Sequence, residues 1–256
     1  MPATQMCYGR DFLTAVVIKV DFPTTPLTLT EEKNPFLDKV SERFPHLSAA
    51  PLREMMFNFA DGVSDVVHRD FGFAWTALKS PGGTVSLALG HDALTLTYGP
   101  SDYVGFDAFF EEFSFILDAL VDNFGMRHFT RVGLRYVNEI RLPGRALDWA
   151  GIIDERLVSA TLAPALNGGR LLRSMHQVCE QHDEDQVLLN YGLVNPDYPA
   201  PLVQRHFILD IDSFRQSVIT VDETKNCIKR LNNLCTDTFE NSIGSDLRSL
   251  MEPENE

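Results

Sequence analysis

The chain is short of basic side chains, of thiols and of long apolar runs, and each shortage narrows what it can do. Twenty-two Lys and Arg stand against 36 Asp and Glu, a formal net charge of −14. Such a surface repels a phosphate backbone over most of its area, so nucleic acid is an unlikely partner unless arginines gather locally. The four cysteines, Cys7, Cys179, Cys227 and Cys235, form no CxxC pair. On an expected helix, Cys227 and Cys235 stand about 12 Å apart along the axis, too far to bond. Thiols so placed read as reduced, mostly packed side chains of a cytosolic protein. The longest early apolar run, Ala15 to Ile18, stops at Lys19, so neither a signal peptide nor a membrane span is expected.

Recognisable chemical motifs are equally scarce. Histidines occur at 46, 68, 91, 128, 176, 182 and 206, with no HxH, HxxxH or HExxH spacing. His182-Asp183-Glu184-Asp185 looks like a metal tract, but consecutive side chains in a turn diverge. Asn167-Gly168-Gly169-Arg170 lacks the glycine spacing of a phosphate loop, and no GxSxG nucleophile elbow is present. Neither a metal nor a cofactor is therefore expected.

What the chain does have is enough apolar material for a core. Hydrophobic residues make up 44% of its 256 positions, 18 of them Phe. A chain of this length buries roughly 75% of the surface its unfolded form exposes, ample for one large domain or two small ones. Strands are expected at Phe12 to Phe22, Leu52 to Asp61, Phe71 to Lys79, Thr84 to Leu89 and Ala93 to Tyr98, with a helix at Asn34 to Phe44. Large apolar residues from Phe106 to Phe124 recur at helical spacing, with Glu111, Glu112, Asp118 and Asp122 mostly opposite and Gly125 as the stop.

After a strand at 130 to 142, a similar plan follows. A helix is expected near Trp149 to Val158, strands at Leu171 to Cys179 and Val187 to Val194 around a polar turn at Glu180 to Gln186, then a strand at His206 to Phe214. The capping box Thr220-x-x-Glu223 opens a last helix with Ile228, Leu231, Cys235, Phe239 and Ile243 on one stripe. The expected fold class is thus α+β: mostly antiparallel sheets covered by amphipathic helices, suggesting a duplicated ferredoxin-like or related unit. The halves would be 1–145 and 146–251, packed as one compact body, with an acidic tail at 252–256.

The most informative stretch is Thr-Arg-Val-Gly-Leu-Arg-Tyr-Val-Asn-Glu-Ile-Arg-Leu, residues 130 to 142. Its alternation puts Arg131, Arg135, Glu139 and Arg141 on one strand face, and Val132, Leu134, Tyr136, Asn138 and Ile140 on the other. The charged set admits two readings: a solvated face whose charges pair across strands, or a surface for an anion or acidic partner. Arg131 and Arg135 lie about 13 Å apart, which suits an extended anion or a protein surface better than one small carboxylate. Asn138, within the apolar set, either satisfies a sheet irregularity or points into a ligand cavity. Arg131, Arg135, Tyr136, Asn138 and Arg141 are the candidate binding residues. A second polar set, His176, His206, Asp210 and Asp212, is the candidate for an acid/base or cation site, Asp210 and Asp212 sharing a strand face roughly 7 Å apart.

Several phrases together carry a resemblance: Val-Gly-Leu-Arg-Tyr-Val-Asn-Glu-Ile at 132 to 140 with the Phe-rich helix before it, Leu209-Asp-Ile-Asp-Ser-Phe214, and Phe239-Glu-Asn-Ser-Ile-Gly near the end. They are similar to those of a sporadically distributed, uncharacterised bacterial family of cytosolic proteins of about this length, over nearly the whole chain. The resemblance supplies no catalytic residue. Its patchy distribution implies a regulatory or defence-associated role in the cytoplasm. The expected function is a non-catalytic binding or regulatory protein that holds a protein partner or an anionic small molecule, and a homodimer is compatible with this. An RNA-binding or RNA-processing protein and an enzyme with a site in a sheet-helix cavity are the alternatives.

Overall fold

The computed structural model describes residues 8, 11–23, 35–58, 65–90, 92–162 and 169–252, with backbone alone for 49–58 and 65–74. β1 (Leu13–Asp21) alternates as its sequence predicts, with Val16, Ile18 and Val20 fully buried. Short α1 (Pro35–Ser41) starts at the proline, and Asn34 lies outside the described residues. β2 (His46–Asn58), β3 (Asp65–Leu78), β4 (Ser86–Leu89) and β5 (Ala93–Tyr98) pair in sequence as an antiparallel meander. α2 (Phe106–Phe124) has the bounds its apolar spacing requires, and Gly125, at φ 62°, closes it in the left-handed conformation that glycine adopts without a Cβ clash.

β6 (His128–Phe129) leads into β7 (Arg131–Leu142), the arginine-bearing strand. The helix expected near Trp149 is displaced to α3 (Glu155–Thr161), capped by Asp154, whose side chain accepts from the Arg156 N–H. The reason lies in the preceding backbone. Gly151 has φ 75°, the Ile152 and Ile153 amides both return to the Trp149 carbonyl, and Ile153 bridges to Ile243. β8 (Ser174–His182) and β9 (Asp185–Leu193) extend through most of the expected polar turn, so the turn shrinks to Asp183 and Glu184, with Asp183 at φ 53°. β10 (Arg205–Arg215) and the two-residue β11 (Ile219–Thr220) follow.

α4 (Val221–Ser242) opens with the expected capping box: Thr220 N–H donates to Glu223 Oε2 at 3.1 Å, and Glu223 N–H to Thr220 Oγ1 at 3.4 Å. It ends before Ile243, whose backbone belongs to the bridge with Ile153, and Phe239 is half-buried rather than part of the buried stripe. α5 (Ser245–Leu250) follows directly. Gly244 donates to the Ile152 carbonyl at 2.8 Å, and a Cβ on Gly244 would run into the Gly151 carbonyl. Close backbone approach therefore requires the glycine that ends the Phe-Glu-Asn-Ser-Ile-Gly phrase.

Among the described residues, nine strands hydrogen-bond in the order β2-β3-β4-β5-β1-β7-β10-β9-β8, while β11 and β6 form a separate pair. The fold is α+β, built on a large antiparallel sheet with five helices among the described residues. By internal contacts the chain divides into two compact units. One comprises Met1–Val16, Gly133–Arg215 and Asn226–Glu256, the other Val17–Val132 and Gln216–Lys225. Among the described residues, no helix is long and apolar enough to cross a membrane.

In the second of these units the Phe stripe of α2 is buried as expected, with Phe109, Phe113, Ile116, Leu117 and Leu120 at 1% exposure or less. Glu112 departs from the expected polar face of that helix. It lies three positions after Phe109 and four before Ile116, hence within the stripe, and is buried. Its charge is compensated: Arg43 Nη1 lies 3.1 Å from Oε1, Lys79 Nζ 2.8 Å from Oε2, and Tyr98 Oη donates to Oε2 at 3.4 Å. Burial and the adjacent carboxylate raise the Tyr98 pKa well above the ordinary phenol range. In the other unit, Cys227 and Cys235 are buried on α4, and desolvation pushes their thiols up to about 11 and about 12. Phe113 has no exposed surface, so Phe113→Ala is expected to cost about 3–5 kcal/mol, read as a lowered denaturation midpoint with an unchanged slope.

Candidate functional site

The arginine strand carries its charges on a face shared with β10, β9 and β8. Registers of Asp210 with Asn190 and of Asn190 with Gln177 bring one polar residue from each strand into a transverse row with Arg135. Arg135 Nε donates to Asp210 Oδ1 at 2.6 Å and its Nη2 to Oδ2 at 2.8 Å, the fork-on-carboxylate geometry that guanidinium favours. Asn190 Nδ2 donates to Asp210 Oδ2 at 3.3 Å, and Gln177 Nε2 to Asn190 Oδ1 at 2.7 Å. Asp210 is 5% exposed, so this row supplies the countercharge and donors that its burial requires.

Nearer the end of β7, a second cluster joins Glu139, Arg141 and His206. Arg141 Nη2 donates to Glu139 Oε2. His206 Nε2 lies 3.2 Å from the same carboxylate oxygen and 3.4 Å from Arg141 Nε. One ring nitrogen cannot donate to the first and accept from the second in a single tautomer. Donation to the carboxylate is the shorter and charge-assisted contact, so Nε2 carries the proton. Nδ1 is then a buried lone pair without a hydrogen-bond partner among the described residues. Burial first, and the Arg141 charge second, lower the His206 pKa against the opposing pull of Glu139, so the imidazole is held neutral.

This cluster borders a cleft of about 350 Å³ formed by Arg141, Leu142, Pro143 and Gly144 at the end of β7 and by residues 203–206 entering β10. Gly144, at φ 114°, turns the chain beside Arg205. Arg205 Nη1 donates to the Pro143 carbonyl at 3.2 Å, and its guanidinium carbon sits 5.1 Å from the centre of the Trp149 ring. Arg205 has no carboxylate partner among the described residues, and its Nε is buried without an acceptor. The loop leading in is held by buried Asn195, which donates to the Leu172 and Ala200 carbonyls and accepts from the Asp197 N–H.

The other candidates are placed differently. Tyr136 and Asn138 lie on the opposite face of β7. Tyr136 Oη donates to Asn232 Oδ1 of α4 at 2.7 Å, and Asn138 is buried. Arg131 shares strand parity with Arg135 and is half-buried. His176 and His206 are not on neighbouring strands, since β9 lies between β8 and β10. His176 stacks on Tyr191 at 5.2 Å between ring centres, on the face that also buries Phe207, whereas His206 is on the other face. The two imidazoles therefore do not converge. Asp210 and Asp212 share a face as their spacing predicts, with Asp210 engaged by Arg135 and Asn190. Among the described residues, no three His, Cys, Asp or Glu side chains gather as a metal ligand set.

Arg205, Asn190 and Gln177 were not among the candidates read from the sequence. Asn190 has a visible signal, a lone amide in Val187-Leu-Leu-Asn-Tyr191, whereas Arg205 stands one position before the expected strand and carries none. No protein-family model matches the chain, and no curated protein matches it.

Two outcomes follow from this geometry. Arg135→Gln removes the countercharge of a buried carboxylate from a partner that is itself 40% exposed, so a loss of about 1–3 kcal/mol is expected in chemical denaturation. A neutral variant as stable as the parent would show that Asp210 does not depend on the pair. His206 has a folded pKa below its ordinary 6.5, so the unfolded chain binds the proton more readily. Stability should fall as pH drops below that ordinary value and through the folded one. His206→Gln should flatten this part of the profile.

Proposed function

We propose that the protein is a non-catalytic binding or regulatory protein that holds an anionic group, on a small molecule or on an acidic protein segment, at the cleft between the end of β7 and the start of β10. Arg205 carries this reading: a guanidinium lining a cleft, with no carboxylate partner among the described residues, in a chain of net charge −14. In so acidic a protein, nearby acids usually compensate an arginine. Exposed Arg141, on the same cleft, adds a second planar fork for carboxylate or phosphate recognition, although Glu139 offsets part of its charge.

The polar face behind the cleft then acts as a rigid support rather than as the contact itself. Arg135 orients Asp210, and Asp210 orients Asn190, which keeps β7, β10 and β9 in register beneath the cleft. Two successions of strands each closed by a long helix, β1 to β5 before α2 and β7 to β10 before α4, support reading the chain as a duplicated α+β unit of ferredoxin-like or related type. A cytoplasmic, defence-associated role of the kind the family resemblance implies fits such a binding protein.

Titration calorimetry with inorganic phosphate and with citrate as probes tests the assignment. The parent should bind at least one of them, with affinity that falls as salt rises. Arg205→Gln and Arg141→Gln together should weaken that binding about tenfold or more, corresponding to loss of charge-assisted contacts. Because Arg141 is exposed, its single variant should keep the parent melting temperature and still bind more weakly. Equal affinities in parent and double variant would refute the reading.

A further inference from the structure

We propose that β8 is a homodimer interface: the β8 strands of two copies pair antiparallel about Val178, extending the sheet across a two-fold axis. Among the described residues, β8 ends the strand order, with β9 as its one sheet neighbour. It runs for nine residues in unbroken register with β9, and Gln177 to His182 are all exposed. A strand at a sheet edge presents a row of backbone donors and acceptors that can pair with another chain, and monomeric proteins usually blunt such edges with proline, lysine or a bulge. β8, Ser-Met-His-Gln-Val-Cys-Glu-Gln-His, has none of these. The edge at the other end of the order does: β2 contains Pro51, and its register with β3 shifts between Pro51 and Arg53.

The occupant is a second copy because the sequence of β8 is complementary to its own reverse. With Val178 opposite Val178 of the second copy, His176 faces Glu180 of that copy, and Glu180 faces its His176. Gln177 faces Cys179, and Met175 faces Gln181. One step beyond the strand, exposed Arg173 falls across from exposed Asp183 at the turn of the other copy. Each unlike pair occurs twice, as an isologous interface demands. Val178, 39% exposed, is the apolar contact on the axis. His176, Val178 and Glu180 lie on one strand face, and Gln177 with Cys179 on the other, so neither face sets like charges against each other. Full pairing would form about eight to ten backbone hydrogen bonds. The strand has a single acidic residue, Glu180, so the edge itself adds little to the general repulsion between two acidic molecules.

Sedimentation of the full chain tests this, with the parent expected to be dimeric. Val178→Lys places two ammonium groups together on the axis and should weaken dimerisation about tenfold or more, with an unchanged melting curve of the monomer. Since Glu180 is 64% exposed, Glu180→Lys supplies a second disruption without touching the core, and its combination with His176→Glu should restore the dimer by setting a carboxylate opposite each new ammonium group. Gln177→Cys brings a thiol opposite Cys179 of the second copy, at the Cα separation of about 4.5–5.5 Å expected for facing residues, within disulfide reach. Mild oxidation should give a covalent dimer that reductant reverses. A monomeric parent overturns the proposal, as does a dimer that persists in Val178→Lys and gives no cross-link in Gln177→Cys.

Discussion

A carboxylate only 5% exposed in the middle of a sheet has to draw countercharge from its neighbours, and Asp210 draws it from Arg135 on β7 and a further hydrogen bond from Asn190 on β9. Because side chains alternate along a strand, a one-residue slip of β10 against either neighbour would move Asp210 away from both partners and turn Leu209 and Ile211 onto the polar face. Apolar burial of Leu134, Ile140, Phe207 and Leu209 provides the free energy, but it tolerates alternatives of similar volume. The polar row does not. It specifies the register, and everything built at the strand ends inherits its position from that register.

The cleft is one such inheritance. Arg141 stands six positions along β7 from Arg135, and His206 four positions before Asp210, so the pairing that satisfies Asp210 also brings Glu139, Arg141 and His206 together. Their environments divide the labour. Arg141 is exposed and partly neutralised, His206 is buried and held neutral, and Arg205 projects on the alternate parity of β10 against Trp149. A neutral imidazole beside two guanidinium groups does not add to the local positive charge. The cation that stands out is Arg205, whose Nε is desolvated without an acceptor. Such a group gains most from an incoming anion, because it has already lost part of its hydration.

The periodic parts of this structure were legible in the sequence. α2 begins and ends where its Phe spacing and Gly125 indicate, β7 carries its charges on the expected parity, and Thr220 with Glu223 makes the capping box their spacing implies. What escaped depended on residues far apart in the chain. Trp149 to Ile153 resembles a helix start until Ile153 meets Ile243 and Gly151 meets Gly244, contacts that no local window contains. Polar Glu180 to Gln186 resembles a loop because β8 is an edge strand with little to bury, so its composition lacks the apolar alternation that reveals a strand. The chemistry of Glu112 suggests the solvated face although its position lies within the apolar stripe, and Arg43 and Lys79, 69 and 33 residues away, make its burial tolerable. The alternation of residues 130 to 142 shows the arginines on a shared face, but which guanidinium groups are neutralised depends on the strand order. β10 adjoins β7, which gives Asp210 to Arg135.

Charge distribution links the cleft to the sheet edge. At −14, the molecule repels both anions and its own copies at long range, yet at physiological ionic strength that field decays over about 8 Å, so a contact is decided by the charges immediately around it. Near Arg205 the local balance is positive, with two guanidinium groups against Glu139. Along β8 there is a single acidic side chain, Glu180. Acidic side chains elsewhere oppose unspecific encounters, whereas a cleft with two guanidinium groups and an edge with one carboxylate oppose approach little. Both belong to the unit that β7, β10, β9 and β8 build, and Gln177, at the β8 end of the Asp210 row, joins them through the hydrogen bond it gives to Asn190. Any change that reorients Gln177 at the edge must break or strain that bond, and the disturbance then reaches Asp210 through Asn190.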